Sequence, residues 1–154
     1  MTPYQSNLFF IAEYILSAVI IVFLTWRKTS FDARKIITRK TFAKRLPFVI
    51  LAVLLPIVLM TVIIIFSSLV GDSASKVLIG VLQFILTLAA NVLLGASWMQ
   101  RYRVYPRGTE LCIVVILMYI ISDLFMPAGI KYAILVGGTV LGFIFPDTWD
   151  DWKK

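Results

Sequence analysis

Residues 46–70 form a run of 25 residues without a charged side chain. A second uncharged run covers residues 77–99, and a third, residues 9–26, contains only Glu13. A helix needs about 20 apolar residues to cross the roughly 30 Å hydrocarbon layer of a membrane, and helices satisfy their own backbone hydrogen bonds there. With 60% apolar and 15% charged residues, the chain exceeds what a soluble core of its length could bury. We therefore expect an all-α integral membrane protein.

The fourth apolar block, residues 111–145, is interrupted by Pro127 and a glycine two residues later. Proline removes a backbone donor, so the interruption predicts a turn. Its two arms, residues 111–126 and 130–145, are short for full spans. One interpretation is two short transmembrane helices, and the other is a re-entrant hairpin sheltered by protein. We favour two spans, hence about five transmembrane helices in a single membrane domain, residues 1–154.

The basic residues predict the orientation of the chain. The loop formed by residues 27–45 contains eight Lys or Arg residues, and thirteen of the fifteen basic residues fall on its side of the membrane. Lys76 and Lys131 fall on the other side. Short cytoplasmic loops carry such an excess of Lys and Arg. We therefore expect the N-terminus outside, the C-terminus in the cytoplasm, and a multi-pass protein of a prokaryotic cytoplasmic membrane.

The basic cytoplasmic loop is expected to contact anionic lipid headgroups. Its candidate contact residues are Arg34, Lys35, Arg39, Lys40, Lys44 and Arg45. An acidic protein partner is the alternative. Nucleic acid is not implied, because the basic residues of the cytoplasmic loops already account for the positive net charge of the chain. The acidic tail, residues 146–154, is expected to anchor its tryptophans at the interface, with folding back onto the basic loop as the alternative.

Three charged residues lie inside the apolar blocks: Glu13, Asp123 and Lys131. Charge inside a membrane is costly and marks a candidate site. All three are expected in one outer layer of the membrane, where long side chains can reach the surface. The favoured interpretation is an ion pair between Asp123 and Lys131 that fastens the last two helices, with Glu13 reaching the surface. The alternative is an outward-open polar pocket for a cation or a proton.

Small and amide side chains recur on two of the apolar blocks. On the third span they are Gly80, Gln83, Thr87, Asn91 and Gly95, mostly four residues apart. On the last arm they are Gly137, Gly138 and Gly142, which include a G-x-x-x-G pattern. Such residues allow close helix contact and interhelical hydrogen bonds in lipid. We favour helix packing, and the alternative is that Gln83 and Asn91 line a conduction path.

The chain contains no histidine, one cysteine (Cys112) and no glycine-rich phosphate loop. Histidine-based catalysis and histidine metal sites are therefore excluded, and we expect neither an enzyme nor a cofactor. The favoured function is that of a non-catalytic membrane protein acting through helix–helix contact, such as an accessory, scaffold or immunity-type subunit of a larger complex. The expected partner is another membrane protein or further copies of the chain. The alternative is a small oligomeric transporter or channel.

Overall fold

The computed structural model describes residues 3–67 and 73–147. Within these residues the structure is all-helical, with five helices and no strand. The helices are α1 (Pro3–Trp26), α2 (Arg39–Ser67), α3 (Ser73–Tyr102), α4 (Gly108–Phe125) and α5 (Ala128–Ile144). The prediction of an all-α chain with five helices is thus confirmed for this part of the protein.

Among the residues that the structure describes, three helices are long and apolar enough to cross a membrane. They contain the stretches Leu8–Trp26, Gly80–Tyr102 and Gly108–Phe125, which are 19, 23 and 18 residues long. A shorter apolar helix covers Gly129–Ile144. The chain is therefore a multi-pass membrane protein by length and composition. The second predicted span begins in α2, and its last residues, 68–70, lie outside the described residues.

The last apolar block divides where the sequence predicts. Met126 has an extended backbone (φ −121°, ψ 162°), and its N–H donates to the carbonyl of Ser122 to close α4. An extended residue before Pro127 relieves the steric conflict between a proline ring and a preceding helical residue. Pro127 then occupies the N-cap position of α5. The block therefore forms two separate helices.

Helix α3 is the centre of the fold, because it contacts α1, α2, α4 and α5. The core gathers around its C-terminal half, where Trp98 and Tyr102 are buried. Phe42 of α2, Cys112 of α4 and Phe145 after α5 pack into the same cluster. This core joins the C-terminal end of α3 to the ends of three other elements. The outward faces of the helices, by contrast, carry many exposed apolar side chains, as lipid contact requires.

Arg101 fastens the end of α5 to this core, and its side chain is fully buried. Its Nε donates to the carbonyl of Gly142 at 2.7 Å, and its Nη1 donates to the carbonyl of Ile37 at 3.1 Å. Its Nη2 donates to the carbonyl of Phe145. The bonds to Gly142 and Phe145 satisfy carbonyls that the C-terminal end of α5 leaves unpaired, and a cation is favoured at that end of a helix. The bond to Ile37 ties the same side chain to the segment before α2. From the sequence, Arg101 is only one of the thirteen basic residues that predict the orientation, and this role could not be predicted.

Candidate functional site

Four helices bring polar side chains together near the middle of α1 and α3. Tyr14 of α1 donates from its hydroxyl to Oδ2 of Asp123 on α4, at 2.5 Å. Lys131 of α5 places its Nζ 2.6 Å from Oδ1 of the same carboxylate. The predicted pair between Asp123 and Lys131 is therefore present, and it joins α4 to α5. The ammonium also lies 5.3 Å from the ring centroid of Tyr119.

Glu13 does not reach the surface, so that prediction is wrong. Glu13 is only 2% exposed, because it lies on the side of α1 that faces α3. Asn91 of α3 donates from Nδ2 to Oε1 of Glu13 at 3.1 Å. One turn along α1, the Ser17 hydroxyl donates to the backbone carbonyl of Glu13 at 2.8 Å. Depth along a helix was readable from the sequence, but the direction in which Glu13 faces was not.

The Glu13 carboxylate has no direct cationic partner among the residues that the structure describes. The ion pairs found there are Arg34–Asp32, Arg101–Asp147 and Lys131–Asp123. A buried carboxylate without a paired counter-ion is costly. Glu13 is therefore the strongest candidate for a ligand-binding group in the described part of the chain.

A groove of about 480 Å³ lies between α1 and α3, and Glu13 lines it. The other lining residues include Phe9, Phe10, Gly80, Gln83, Phe84 and Thr87. The rings of Phe9 and Phe84 pack edge to face, with centroids 5.0 Å apart. The groove thus combines one buried acid with aromatic walls. Gln83 and Thr87, predicted as polar candidates, both belong to it.

A second cavity, of about 290 Å³, lies further along α1 and α3 and also touches α4. Its lining is mostly apolar, and its polar members include Tyr14, Ser17, Asn91 and Tyr119. The hydrogen bond between Asn91 and Glu13 therefore joins a residue of this cavity to a residue of the groove. The two spaces follow one another along the α1–α3 contact.

The small residues of α3 divide between packing and open surface. Gly95 faces α1, where an added Cβ would lie 3.1 Å from Cδ1 of Ile21. Thr87 donates its hydroxyl to the backbone carbonyl of Gln83 at 2.9 Å, within the same helix. A Cβ at Gly80 would meet no atom of the described residues within 4 Å. The prediction of helix packing is therefore wrong for Gly80 within this chain, since it opens onto the groove.

The glycines of α5 divide in the same way. A Cβ at Gly138 would lie 2.9 Å from the Trp98 ring, and one at Gly142 would lie 3.0 Å from the Phe42 ring. Both are buried against neighbouring helices, as predicted. Gly137 is exposed, and a Cβ there would meet no described atom within 4 Å. Packing is therefore wrong for Gly137 inside this chain, because one residue turns a helix by about 100°.

Four of the six basic candidates in residues 27–45 contact the protein itself. The loop is shorter than predicted, because Arg39, Lys40, Lys44 and Arg45 lie in α2. Arg45 donates from Nη1 to Oε1 of Gln100 at 2.5 Å, and Lys35 donates to the carbonyl of Thr29 at 3.0 Å. Arg34 and Arg39 also donate hydrogen bonds within the chain. Lys40 and Lys44 are exposed. Contact with lipid headgroups stays a prediction for all six.

Asp32 organises the loop between α1 and α2. Its two carboxylate oxygens accept hydrogen bonds from the Arg34 guanidinium at 3.0 Å each, and Oδ1 also accepts one from the Arg34 backbone N–H at 2.9 Å. These bonds hold the pKa of Asp32 below its usual range. The Gln100 amide donates to the backbone carbonyl of Asp32 at 2.7 Å, which ties this loop to α3.

The tail begins by folding back onto the basic loop. Asp147 accepts a hydrogen bond from the backbone N–H of Arg39 at 2.6 Å, and its Oδ1 lies 3.3 Å from Nη1 of Arg101. The alternative interpretation of the tail therefore holds at Asp147. The rest of the tail, residues 148–154, lies outside the described residues.

No protein-family model matches this chain, and no curated protein or solved structure matches it either. The roles of Glu13 and its neighbours therefore follow from geometry and charge. Sequence reasoning missed three polar residues of this architecture: Tyr14, Gln100 and Arg101. Of these three, only Tyr14 could have been found from the sequence, because it directly follows the intramembrane acid Glu13.

Proposed function

We propose that the chain crosses a prokaryotic cytoplasmic membrane five times, with its N-terminus outside and its C-terminus inside. The separate helices α4 and α5 and the one-sided distribution of basic residues support this topology. Labelling of single cysteines tests it, because the native Cys112 is buried. Ser73→Cys should react from outside and Thr38→Cys from inside only. Labelling of a Thr148→Cys variant from outside would contradict the model of five spans.

We further propose that the protein acts without catalysis, through contact of α5 with another membrane protein or a second copy of this chain. The observation that carries this proposal is an outward stripe of small residues on α5. Gly129, Ala133 and Gly137 are four residues apart, and all three are exposed. An added Cβ at Gly129 or Gly137 would meet open space. Small residues at this spacing let two helices approach closely in lipid.

The length of α5 supports the same proposal. Its 17 residues correspond to about 25 Å at 1.5 Å per residue, which is less than the roughly 30 Å of hydrocarbon. A helix shorter than the membrane thins the bilayer or associates with other helices. Contact through the outward stripe reduces the lipid surface that must adapt to this short helix. An accessory, scaffold or immunity-type subunit fits these features.

Native mass spectrometry after gentle extraction tests the proposed contact. The protein should carry a foreign subunit or a second copy of itself, and Gly137→Leu should release it. Because a Cβ at Gly137 meets no described atom within 4 Å and leucine favours helix over glycine, the variant should melt at or slightly above the wild-type temperature. Val114→Leu is the matched control, since Val114 is 51% exposed on α4. Association unchanged by Gly137→Leu would refute a contact at this stripe.

A small oligomeric transporter or channel is the second candidate, and the buried Glu13 between the groove and the second cavity favours it. Intramembrane acids that lack a fixed counter-ion are typical of ion and substrate pathways. Cation flux into proteoliposomes tests this function. Flux should disappear in Glu13→Gln with the melting temperature unchanged, and wild-type proteoliposomes without flux would exclude it.

A further inference from the structure

The groove between α1 and α3 is lined by one acidic residue, Glu13, which has no ion-pair partner among the described residues. Glu13 is 2% exposed, and its described hydrogen-bond partner, Asn91, is neutral. The nearby cation, Lys131, is already paired with Asp123 at 2.6 Å. The cost of a buried charge falls when a cation binds next to it. A positively charged ligand in the groove would supply this compensation.

The walls of the groove select the kind of cation. Phe9, Phe10 and Phe84 line it together with Glu13, and the Phe9 and Phe84 rings are 5.0 Å apart at 62°. Aromatic faces attract cations, and clusters of rings are used to recognise quaternary ammonium groups. Apolar walls also favour a weakly hydrated cation, because such a cation loses little hydration free energy when it leaves water.

A metal ion fits this groove poorly. Calcium and magnesium require about six or more oxygen ligands, and the groove offers oxygens from Glu13, Gln83 and Thr87. The Thr87 hydroxyl already donates to its own helix at 2.9 Å. Single metal ions also leave most of a 480 Å³ space unfilled, whereas sites for small organic molecules cover about 300–1,000 Å³.

We propose that the groove between α1 and α3 binds a lipophilic organic cation, such as a quaternary ammonium or phosphonium compound, with Glu13 as its counter-ion. Gly80 leaves room for the ligand, since an added Cβ there would meet no described atom within 4 Å. The proposal concerns binding. It requires neither transport nor the contact at α5.

Equilibrium binding to the full chain in lipid nanodiscs tests the site, with tetraphenylphosphonium as the probe and empty nanodiscs as the blank. Tetraphenylborate is the matched anion of the same shape. The phosphonium should bind saturably above the blank, and the borate should not. Equal binding of both ions would overturn the proposal, because the groove would then accept any apolar molecule. Phosphonium binding no greater than the blank would overturn it as well.

Two variants locate the bound cation. Glu13→Gln keeps the size of the side chain and a partner for Asn91, and it should weaken phosphonium binding about tenfold or more. Gly80→Leu should fill the groove and block binding while Glu13 stays in place. Neither variant should melt below the wild-type temperature, because Glu13→Gln removes a buried charge and Gly80→Leu replaces a helical glycine. Circular dichroism should show unchanged helix content.

Gly137→Leu is the control for Gly80→Leu, because it is a glycine of equal openness on another helix. It should bind phosphonium as the wild type does, even where it releases a partner from α5. Undiminished binding in Glu13→Gln, or in Gly80→Leu, would overturn the proposed position. Failure of the α5 contact and failure of the cation site are thus separate results.

Discussion

Tyr102 donates a hydrogen bond from its hydroxyl to the backbone carbonyl of Gly138 at 2.8 Å, inside the contact between α3 and α5. The absent side chain of Gly138 makes this approach possible, since a Cβ there would lie 2.9 Å from the ring of Trp98. The neighbouring Gly137 has open space instead. Adjacent glycines thus face different surfaces of α5.

Alanine at these two glycines should change stability in opposite directions. Gly138→Ala should lower the free energy of unfolding by about 1–3 kcal/mol, because the methyl group overpacks against Trp98. Gly137→Ala should raise it by about 0.4–1 kcal/mol, because alanine restricts the unfolded chain and favours helix. Chemical unfolding in detergent measures both. Equal changes at the two positions would mean that α5 is rotated from the orientation described here.

Replacing Arg101 by Met should destabilise the protein strongly. The carbonyls of Ile37, Gly142 and Phe145 would lose the donors that Arg101 supplies, and each buried unpaired group costs about 1–3 kcal/mol. We expect a total loss of about 3–5 kcal/mol in unfolding free energy. Arg107→Met is the control, since Arg107 is exposed and should change stability by less than about 0.5 kcal/mol. Similar losses for both variants would argue against the role assigned to Arg101.

Removing the charge of Asp123 should have a moderate effect. Asp123→Asn weakens the contacts with Lys131 and Tyr14. A hydrogen bond to a charged group contributes about 1.5–3 kcal/mol to the free energy of unfolding. Exchanging the charges, with Asp123→Lys and Lys131→Asp, should recover part of the loss. Full recovery is not expected, because the Tyr14 hydroxyl would lose its carboxylate acceptor. A double variant less stable than either single variant would contradict the pairing.

The loop between α1 and α2 should loosen in acid. Arg34, and more weakly Lys35, hold the pKa of Asp32 below its usual range, so the folded loop releases the proton more readily than the unfolded loop does. The stabilisation is therefore complete above the unfolded value of about 3.9 and is lost as the pH falls through the folded pKa. Hydrogen exchange at the Arg34 amide, corrected for its intrinsic rate, should accelerate below about pH 4.

Asp32→Asn is the control for this acid effect. The amide keeps the shape of the side chain but has no proton to gain in this range, so exchange at Arg34 should be faster at neutral pH. Its remaining pH dependence should be flat. Acid loosening of equal size in Asp32→Asn would assign the effect to another group.

The apolar spans could be predicted from the sequence, because the free energy of transfer into lipid adds up residue by residue along the chain. The interruption at Pro127 could be predicted because proline removes a backbone donor. The pairing of Asp123 with Lys131 was also predictable, since both flank one turn. These features depend on position along a helix. They need no knowledge of how the helices are rotated.

The rotation of each helix about its own axis could not be predicted from the sequence. Gly137 and Gly138 are neighbours in the same pattern, yet one is exposed and the other buried. Glu13 was expected at the surface, but the rotation of α1 directs it to Asn91. Arg101 was read as one more basic residue near the membrane, because its acceptors lie on backbone atoms that no sequence pattern marks.

The closure of α5 by Arg101 has a consequence for synthesis of the protein. Arg101 and Phe145 are 44 positions apart, and the ribosome makes the chain from its N-terminus. The guanidinium is therefore made before the two carbonyls on the α5 side exist. A nascent or truncated chain that stops before Gly142 holds a cation at a site built to exclude water, with most of its acceptors missing. Synthesis of α5 thus supplies the acceptors that Arg101 needs, and a chain without α5 leaves this buried cation largely unpaired.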